Sequence, residues 1–173
     1  MERPIAQIET IRGIVKHFNC DPNQAVIIGV RGFFSKENKI NVYDDAIFLT
    51  SPRAFQSFNA NTDPSYARTG IATLKSGLWK YKLGIHGLSK PKFLQYKALV
   101  QADQVTVMRQ NKGPDTGWFG INIHKGSRST TSSLGCQTIH PDQWSSFITS
   151  VESEMKIAKQ TVIPYVLVDK LLG

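Results

Sequence analysis

One stretch of this chain gathers residue types that do covalent chemistry: INIHKGSRSTTSSLGCQTI, residues 121–139, with His124 and Cys136 twelve positions apart. A thiol attacks a carbonyl as its thiolate, and a nearby imidazole is the common means of removing the proton. A polar Ser/Thr-rich loop joining two strand ends brings both side chains to one rim of a sheet, within the reach that proton transfer needs. An imidazolium beside Cys136 is expected to lower the thiol below its ordinary pKa of about 8.5. Gly135 leaves no side chain beside the nucleophile, so substrate is expected to approach the backbone there. The amides around Cys136 are candidate donors to an oxyanion. Each residue also has a plainer role, the cysteine as a small buried side chain and the histidine as a hydrogen-bonded group at a strand end.

The elements that must position this pair follow from the hydropathy pattern. Ile5, Ile8, Ile11, Val15 and Phe18 recur every three or four residues after Pro4, which predicts a helix ended by the turn NCDPNQ. AVIIGVRGFF is a β-branched apolar run and predicts a buried strand. Ile40 and Val42 alternate with Asn41 and Tyr43, and AIFLT follows Asp44-Asp45, a pattern that predicts a hairpin. Residues 51–70 are dense in Ser, Asn, Asp, Pro and Gly and predict an ordered loop with short strand pieces. In LWKYKLGIH, Trp79, Tyr81, Leu83 and Ile85 share one parity while Lys80, Lys82 and His86 take the other, a half-buried strand. VTVMR predicts a further strand and GPDT a turn. GWFGINIH then places Phe119, Ile121 and Ile123 on one face and Trp118, Asn122 and His124 on the opposite one.

After Cys136, IHPDQW predicts a helix start, with Pro141 at its first position and Asp142 favourable to the helix dipole. Trp144, Phe147, Ile148, Val151 and Met155 trace one helical stripe, which is core packing. TVIPYVLVD predicts a closing strand, and its internal Pro164 predicts an edge position or a bulge. The expected fold class is α+β and β-rich. Residues 1–38 supply an N-terminal helix and strand to the same domain, and residues 39–173 form the catalytic region.

With these elements in order, the chain resembles the L,D-transpeptidase catalytic domain. That family's signature is a strand ending in Ile-His-Gly, a variable loop, then Ser/Thr-His-Gly-Cys and a helix. Here GINIH carries His124, KGSRSTTS is the loop, and Ser133-Leu134-Gly135-Cys136 stands at the nucleophile motif. INVYDDAIFL resembles the family's early hairpin, IATLKSGLWKY its Thr-Pro-x-Gly-x-Tyr/Phe strand, and TVIPYVLV its closing strand. The resemblance covers Lys39 to Asp169, and its specific part is the His and Cys segments. It departs from the pattern in several places. Leu134 replaces the second histidine, Thr138 the Arg or Asn two places after the cysteine, and Ala72-Thr73 the Thr-Pro pair, and the loop is shorter. Lys125 follows the base in place of Gly, so the carbonyl that orients the imidazole is expected from Lys125 or Gly126.

The resemblance implies an L,D-transpeptidase-like mixed sheet or sandwich with Cys136 as nucleophile, His124 as base and Gly135 beside them. It implies substrate contacts from Ser133, Trp118, Asn122, His86 and Thr138, with neither metal nor cofactor. The substrate would be the stem peptide of peptidoglycan, attacked through a thioester. Because the acceptor-side motif is altered, hydrolysis by a lytic carboxypeptidase or endopeptidase is expected over L,D-crosslinking, as in a phage lysis protein or an antibacterial effector.

Composition sets the bounds on this reading. The 173 residues, 40% apolar and 20% charged, suit one globular domain with its own core. Cys20 and Cys136 sit in unlike contexts and do not suggest a disulfide framework. No segment has the apolar length of a membrane span, and MERPIAQIETIRG lacks the pattern of a secretory signal. Synthesis in the cytoplasm is expected, with action on the bacterial cell wall after release or delivery, as a monomer. The net charge of +8 and pI near 9.6 favour anionic partners, although scattered charge also serves solubility.

Two rival classes follow from the charge. One is a non-catalytic module of the same fold docking on an anionic polymer. The other is a basic nucleic-acid-binding protein suggested by Trp79, Trp118 and Phe119, for which no recognition motif is present. A zinc site built from His140, Cys136, His124 and His86 is a further alternative. Against it, His140 precedes Pro141 at a helix entry, where a boundary role suffices.

Overall fold

β-branched and aromatic runs cut by turns give a sheet-dominated chain. The computed structural model describes residues 1–35 and 37–170. In chain order its elements are α1 (Ile8–His17), β1 (Val26–Val30), β2 (Asp45–Thr50), β3 (Phe55–Asn61), β4 (Ala72–Leu74), β5 (Gly77–His86), β6 (Tyr96–Gln101), β7 (Val105–Arg109), β8 (Gly113–Gly117), β9 (Ile123–Lys125), β10 (Gln137–Ile139), α2 (Pro141–Ile157) and β11 (Ile163–Val168). Eight strands close into a barrel in the order β1-β11-β5-β6-β9-β10-β3-β2, and β4-β7-β8 form a separate antiparallel sheet. The barrel is mixed, with parallel pairs at β1–β11 and β9–β10 and antiparallel pairs elsewhere. The protein is thus α+β and β-rich.

Strand alternation divides the core in two. Ile27, Ile47, Leu49, Phe58, Leu99, Ile123, Ile139 and Tyr165 belong to one buried cluster, into which α2 packs Trp144, Phe147, Val151 and Met155. The opposite parity of β1 and β2, with Val26, Ile28 and Phe48, is covered by Ile11, Ile14 and Val15 of α1. No helix among the described residues is long and apolar enough to cross a membrane.

Several local expectations are corrected. The helix begins at Ile8 rather than after Pro4, and Ile5 is 79% exposed. Ile40 and Val42 form no hairpin strand; β2 starts at Asp45 and pairs with β1 and β3. Asp44 and Asp45 are buried caps instead of an exposed turn: Asp44 accepts from Lys39 N, and Asp45 from Gly32 N, Thr62 N and Thr62 Oγ1. The polar stretch 51–70 contains the whole of β3, whose Phe58 and Ala60 supply the buried face. GPDT lies inside β8.

Pro164 is neither at an edge nor at a bulge, since β11 is flanked by β1 and β5. Its register partner Lys80 turns its carbonyl to Ala102 N on the other side, and pairing with β1 begins only at Tyr165. No ladder bond is asked of the missing N–H. The helix start at Pro141 and the stripe of α2 are as the sequence indicates.

Packing around two glycines gives opposite expectations. A Cβ on Gly29 would overlap the Tyr165 phenol, which donates to Gln137 Oε1 at 2.9 Å, whereas a Cβ on Gly13 of α1 meets open space. Gly29→Ala is expected to destabilise by about 1–3 kcal/mol. Gly13→Ala is expected to stabilise by about 0.5–1 kcal/mol through helix propensity. Urea midpoints measure both, and shifts of the same sign would contradict this packing.

Candidate active site

Cys136 and His124 are brought together by the parallel pairing of β9 with β10, in which Ile123 faces Gln137 and His124 faces Thr138. Cys136 immediately precedes β10, and Gln137 N donates to Asn122 O at 2.9 Å. Asn122, His124, Cys136 and Thr138 therefore share the parity opposite to the buried Ile123 and Ile139. The two candidate catalytic side chains are diagonal neighbours on one face.

The expected long strand 117–124 is shortened to Ile123–Lys125. Gly120 adopts φ +68°, which breaks the extended run, and Gln101 Oε1 accepts from both Phe119 N at 3.1 Å and Ile121 N at 2.8 Å. The barrel seam is thin here, with Leu99 and Ile123 the one register pair between β6 and β9. The freed backbone serves the thiol: Cys136 Sγ donates to Gly120 O and accepts from Asn122 N, both at 3.4 Å. Tyr81 OH also donates to Ile121 O at 2.8 Å. Gln101 and Tyr81 thus hold the thiol's cradle. Neither was recoverable from sequence, because a buried glutamine in a strand carries no spacing signal.

The imidazole is oriented by the main chain. His124 Nδ1 lies 2.9 Å from Lys125 O, the first of the two carbonyls expected for this role. Donation to that oxygen places the proton on Nδ1 and leaves the lone pair on Nε2. Tyr96 OH reinforces the arrangement, 3.3 Å from Lys125 O and 3.4 Å from His124 Nδ1. His86 lies on the paired position of β5, and its ring stacks on His124 with centroids 4.1 Å apart. His86 is thus an imidazole neighbour of His124.

Electrostatics correct the expected ion pair. Burial, followed by the neighbouring His86 and Lys90, outweighs the Lys125 hydrogen bond and holds His124 down at about 4. Burial pushes the Cys136 thiol up, with only the Asn122 amide opposing it. Burial and then Lys90 also lower His86. The resting pair at neutral pH is a neutral thiol and a neutral imidazole, not thiolate and imidazolium.

The remaining expected residues sort by placement. Gly135 has φ +129°, and a Cβ there would strike the Ala72 carbonyl; the missing side chain admits β4, not substrate. Ser133 is buried and consumed by the loop, its Oγ accepting from Gly135 N at 3.0 Å and donating to Cys136 O at 2.7 Å, so it shapes the turn at Cys136. Thr138 is fully buried between His124 on β9 and Asn61 on β3, out of reach of a bound peptide. Trp118 is 61% exposed, and Asn122 is half-buried with its N–H at the thiol. Gly135 N and Gln137 N are already engaged, which leaves the amides of Leu134 and Cys136 without a partner among the described residues.

The loop 126–135 is braced from outside by a segment whose role the sequence did not reveal. Tyr43 OH donates to Ser127 O at 2.7 Å, and Asn41 Oδ1 accepts from Thr131 N at 2.9 Å. His140 is the N-cap of α2, its Nδ1 accepting from Asp142 N at 3.3 Å. Among the described residues no three His, Cys, Asp or Glu side chains gather as a metal-binding group. His140 has the boundary role, and the zinc set is not assembled.

Two outcomes follow from this geometry. Alkylation of Cys136 by iodoacetamide should be slower at pH 7 than that of a free thiol and should rise through a midpoint above the ordinary thiol value. Fast labelling below pH 7 would show a thiolate and contradict the neutral pair. Gln101→Leu removes the acceptor for Phe119 N and Ile121 N and should raise the alkylation rate of Cys136 by loosening the backbone that holds its sulfur at Gly120 O and Asn122 N. An unchanged alkylation rate in a folded variant would remove Gln101 from the positioning set.

No family model, no curated protein and no solved structure matches this chain.

Proposed function

We propose that this protein is a cysteine acyl-transfer enzyme of L,D-transpeptidase-like fold that hydrolyses peptidoglycan stem peptides. The observation that carries the reading is the 2.9 Å contact of His124 Nδ1 with Lys125 O, on the face shared with Cys136. Donation from Nδ1 leaves Nε2 with the lone pair a base needs, on the face that also carries the Cys136 thiol, and thiol and base are the minimum that thioester chemistry requires.

With a neutral resting pair, proton transfer accompanies attack. As Cys136 Sγ bonds to the peptide carbonyl carbon, His124 Nε2 takes the thiol proton, and the carbonyl oxygen becomes an oxyanion. The unengaged amides of Leu134 and Cys136 are its candidate donors. The C–N bond then breaks, the imidazolium gives its proton to the departing amine, and a thioester remains. An imidazolium disfavoured by burial is a strong acid, which suits this second step. Water enters next, loses a proton to Nε2 and cleaves the thioester, releasing a carboxylate and restoring the thiol.

Water is favoured over an amine as acceptor because the position that carries Arg or Asn in the family is Thr138, which is fully buried. Asn122, whose N–H meets the thiol, and the exposed Trp118 are the candidates to contact the peptide. His86 acts on the imidazole through its stacked ring. Action on the cell wall by a phage lytic protein or a delivered effector would suit such a hydrolase.

Mass spectrometry of purified muropeptides after incubation tests the assignment. Cleaved stem peptides without new crosslinks are expected, lost in Cys136→Ala and retained in Cys20→Ala. Equal loss in both variants would overturn the choice of nucleophile. The pH profile adds a sign: the base works deprotonated, and with His124 held at about 4, activity should persist on acidification past 6.5 and fall only as pH drops toward 4. An acid limb near 6.5 would contradict the burial of the imidazole.

A further inference from the structure

The hairpin joining β5 to β6 carries apolar side chains that folding does not use. Its tip, Gly87–Gln95, includes a 3-10 turn at Lys92–Leu94 in which no residue is buried. Leu88 is 75% exposed and Phe93 84%, with Leu94 and Ile85 also on the surface. The tip is nevertheless ordered by its own bonds. Lys90 N donates to Gly87 O, Leu94 N to Pro91 O, and Gln95 Nε2 to Lys90 O at 2.8 Å. An ordered turn that displays leucine and phenylalanine outward has a use other than core packing.

The surrounding charge says what covers it. The tip LSKPKFLQ contains Lys90 and Lys92 and no acidic residue, and neither lysine joins a salt bridge among the described residues. Lys125 adds a cation at the base of the hairpin, with Nζ 5.2 Å from the Tyr96 ring centre. We propose that this tip docks on an anionic lipid surface, with Leu88, Phe93 and Leu94 entering the headgroup layer and Lys90 and Lys92 meeting its negative charge. A narrow protruding turn is small for a stable protein–protein interface, which needs a broad patch of about 800 Å² per partner, but it suits insertion into an interfacial layer. His86 and Tyr96 close the same hairpin at its base, so docking holds the candidate active site beside the membrane. This placement is independent of the reaction assigned to Cys136.

Phe93→Trp provides the probe. With vesicles of phosphatidylcholine and phosphatidylglycerol, its emission should shift to the blue, and the otherwise unaltered protein should co-sediment with them; pure phosphatidylcholine should do neither at moderate salt. The double variant Leu88→Ser, Phe93→Ser should lose at least about tenfold in partitioning with an unchanged melting temperature, since both side chains are exposed. Lys90→Gln with Lys92→Gln should flatten the salt dependence. Binding that is absent, or identical in all variants, overturns the proposal. So does a concentration-dependent dimer, formed without lipid and abolished by Phe93→Ser, which would assign the tip to a second copy of the chain.

Discussion

The candidate site depends on one backbone constraint, the parallel pairing of β9 with β10 across a connection near the lower limit for a parallel crossover. Parallel register sets Asn122 beside Cys136 and His124 beside Thr138, so the thiol and imidazole face the same way. Everything around the connection secures that pairing. Ser133 ties the turn at Cys136, and Ser65 N and Oγ hold Ser133 O and N. Tyr43 and Asn41 brace the loop, and Gln101 pulls residues 119–121 out of the ladder to receive the sulfur. Two glycines of this assembly leave no room for a side chain: a Cβ on Gly126 would meet the Tyr43 phenol and one on Gly135 the β4 backbone.

The same face carries a polar row that runs across neighbouring strands, from the half-buried His86 and Tyr96 to the buried His124, Thr138 and Asn61. His86 Nδ1, Thr138 Oγ1 and Asn61 Oδ1 have no protein partner in it. Burial of polar groups without full pairing costs stability and is kept where a site needs a low dielectric. Here that environment suppresses charge on both His124 and Cys136. The thiol is raised by burial, the imidazole is lowered by burial and by His86 and Lys90, and one backbone carbonyl decides the tautomer.

Legibility in the sequence tracked how local each determinant is. The α2 stripe and its Pro141 start, β1, β7 and β11 were readable because alternation, helical spacing and proline at a first turn are local rules. His124 and Cys136 stand out in the sequence because their residue types are scarce and their spacing resembles a motif, and the parallel pairing puts them on one face. The hairpin at Ile40 was misread because Asp45 serves the distant Gly32 and Thr62, and the turn at GPDT because those residues pair with β7. Asp45 is a buried acceptor pushed up to about 7 rather than a solvated turn residue. Pro164 misled because its missing donor is harmless only in the register that tertiary pairing selects. The roles of Gly135, Ser133 and Thr138 shifted from substrate to scaffold for a related reason. Motif position identifies a residue, but the burial that decides what it touches comes from β3, β4 and β9.

The central claim is that His124 waits as a neutral imidazole, protonated on Nδ1 toward Lys125 O, beside a neutral Cys136 thiol. Nitrogen-resolved NMR of the His124 ring across a pH titration tests it directly. The account predicts one protonated nitrogen, Nδ1, throughout the neutral range, with the second proton gained only as pH falls to about 4. A ring protonated on both nitrogens at pH 7, or a proton resting on Nε2, would contradict it.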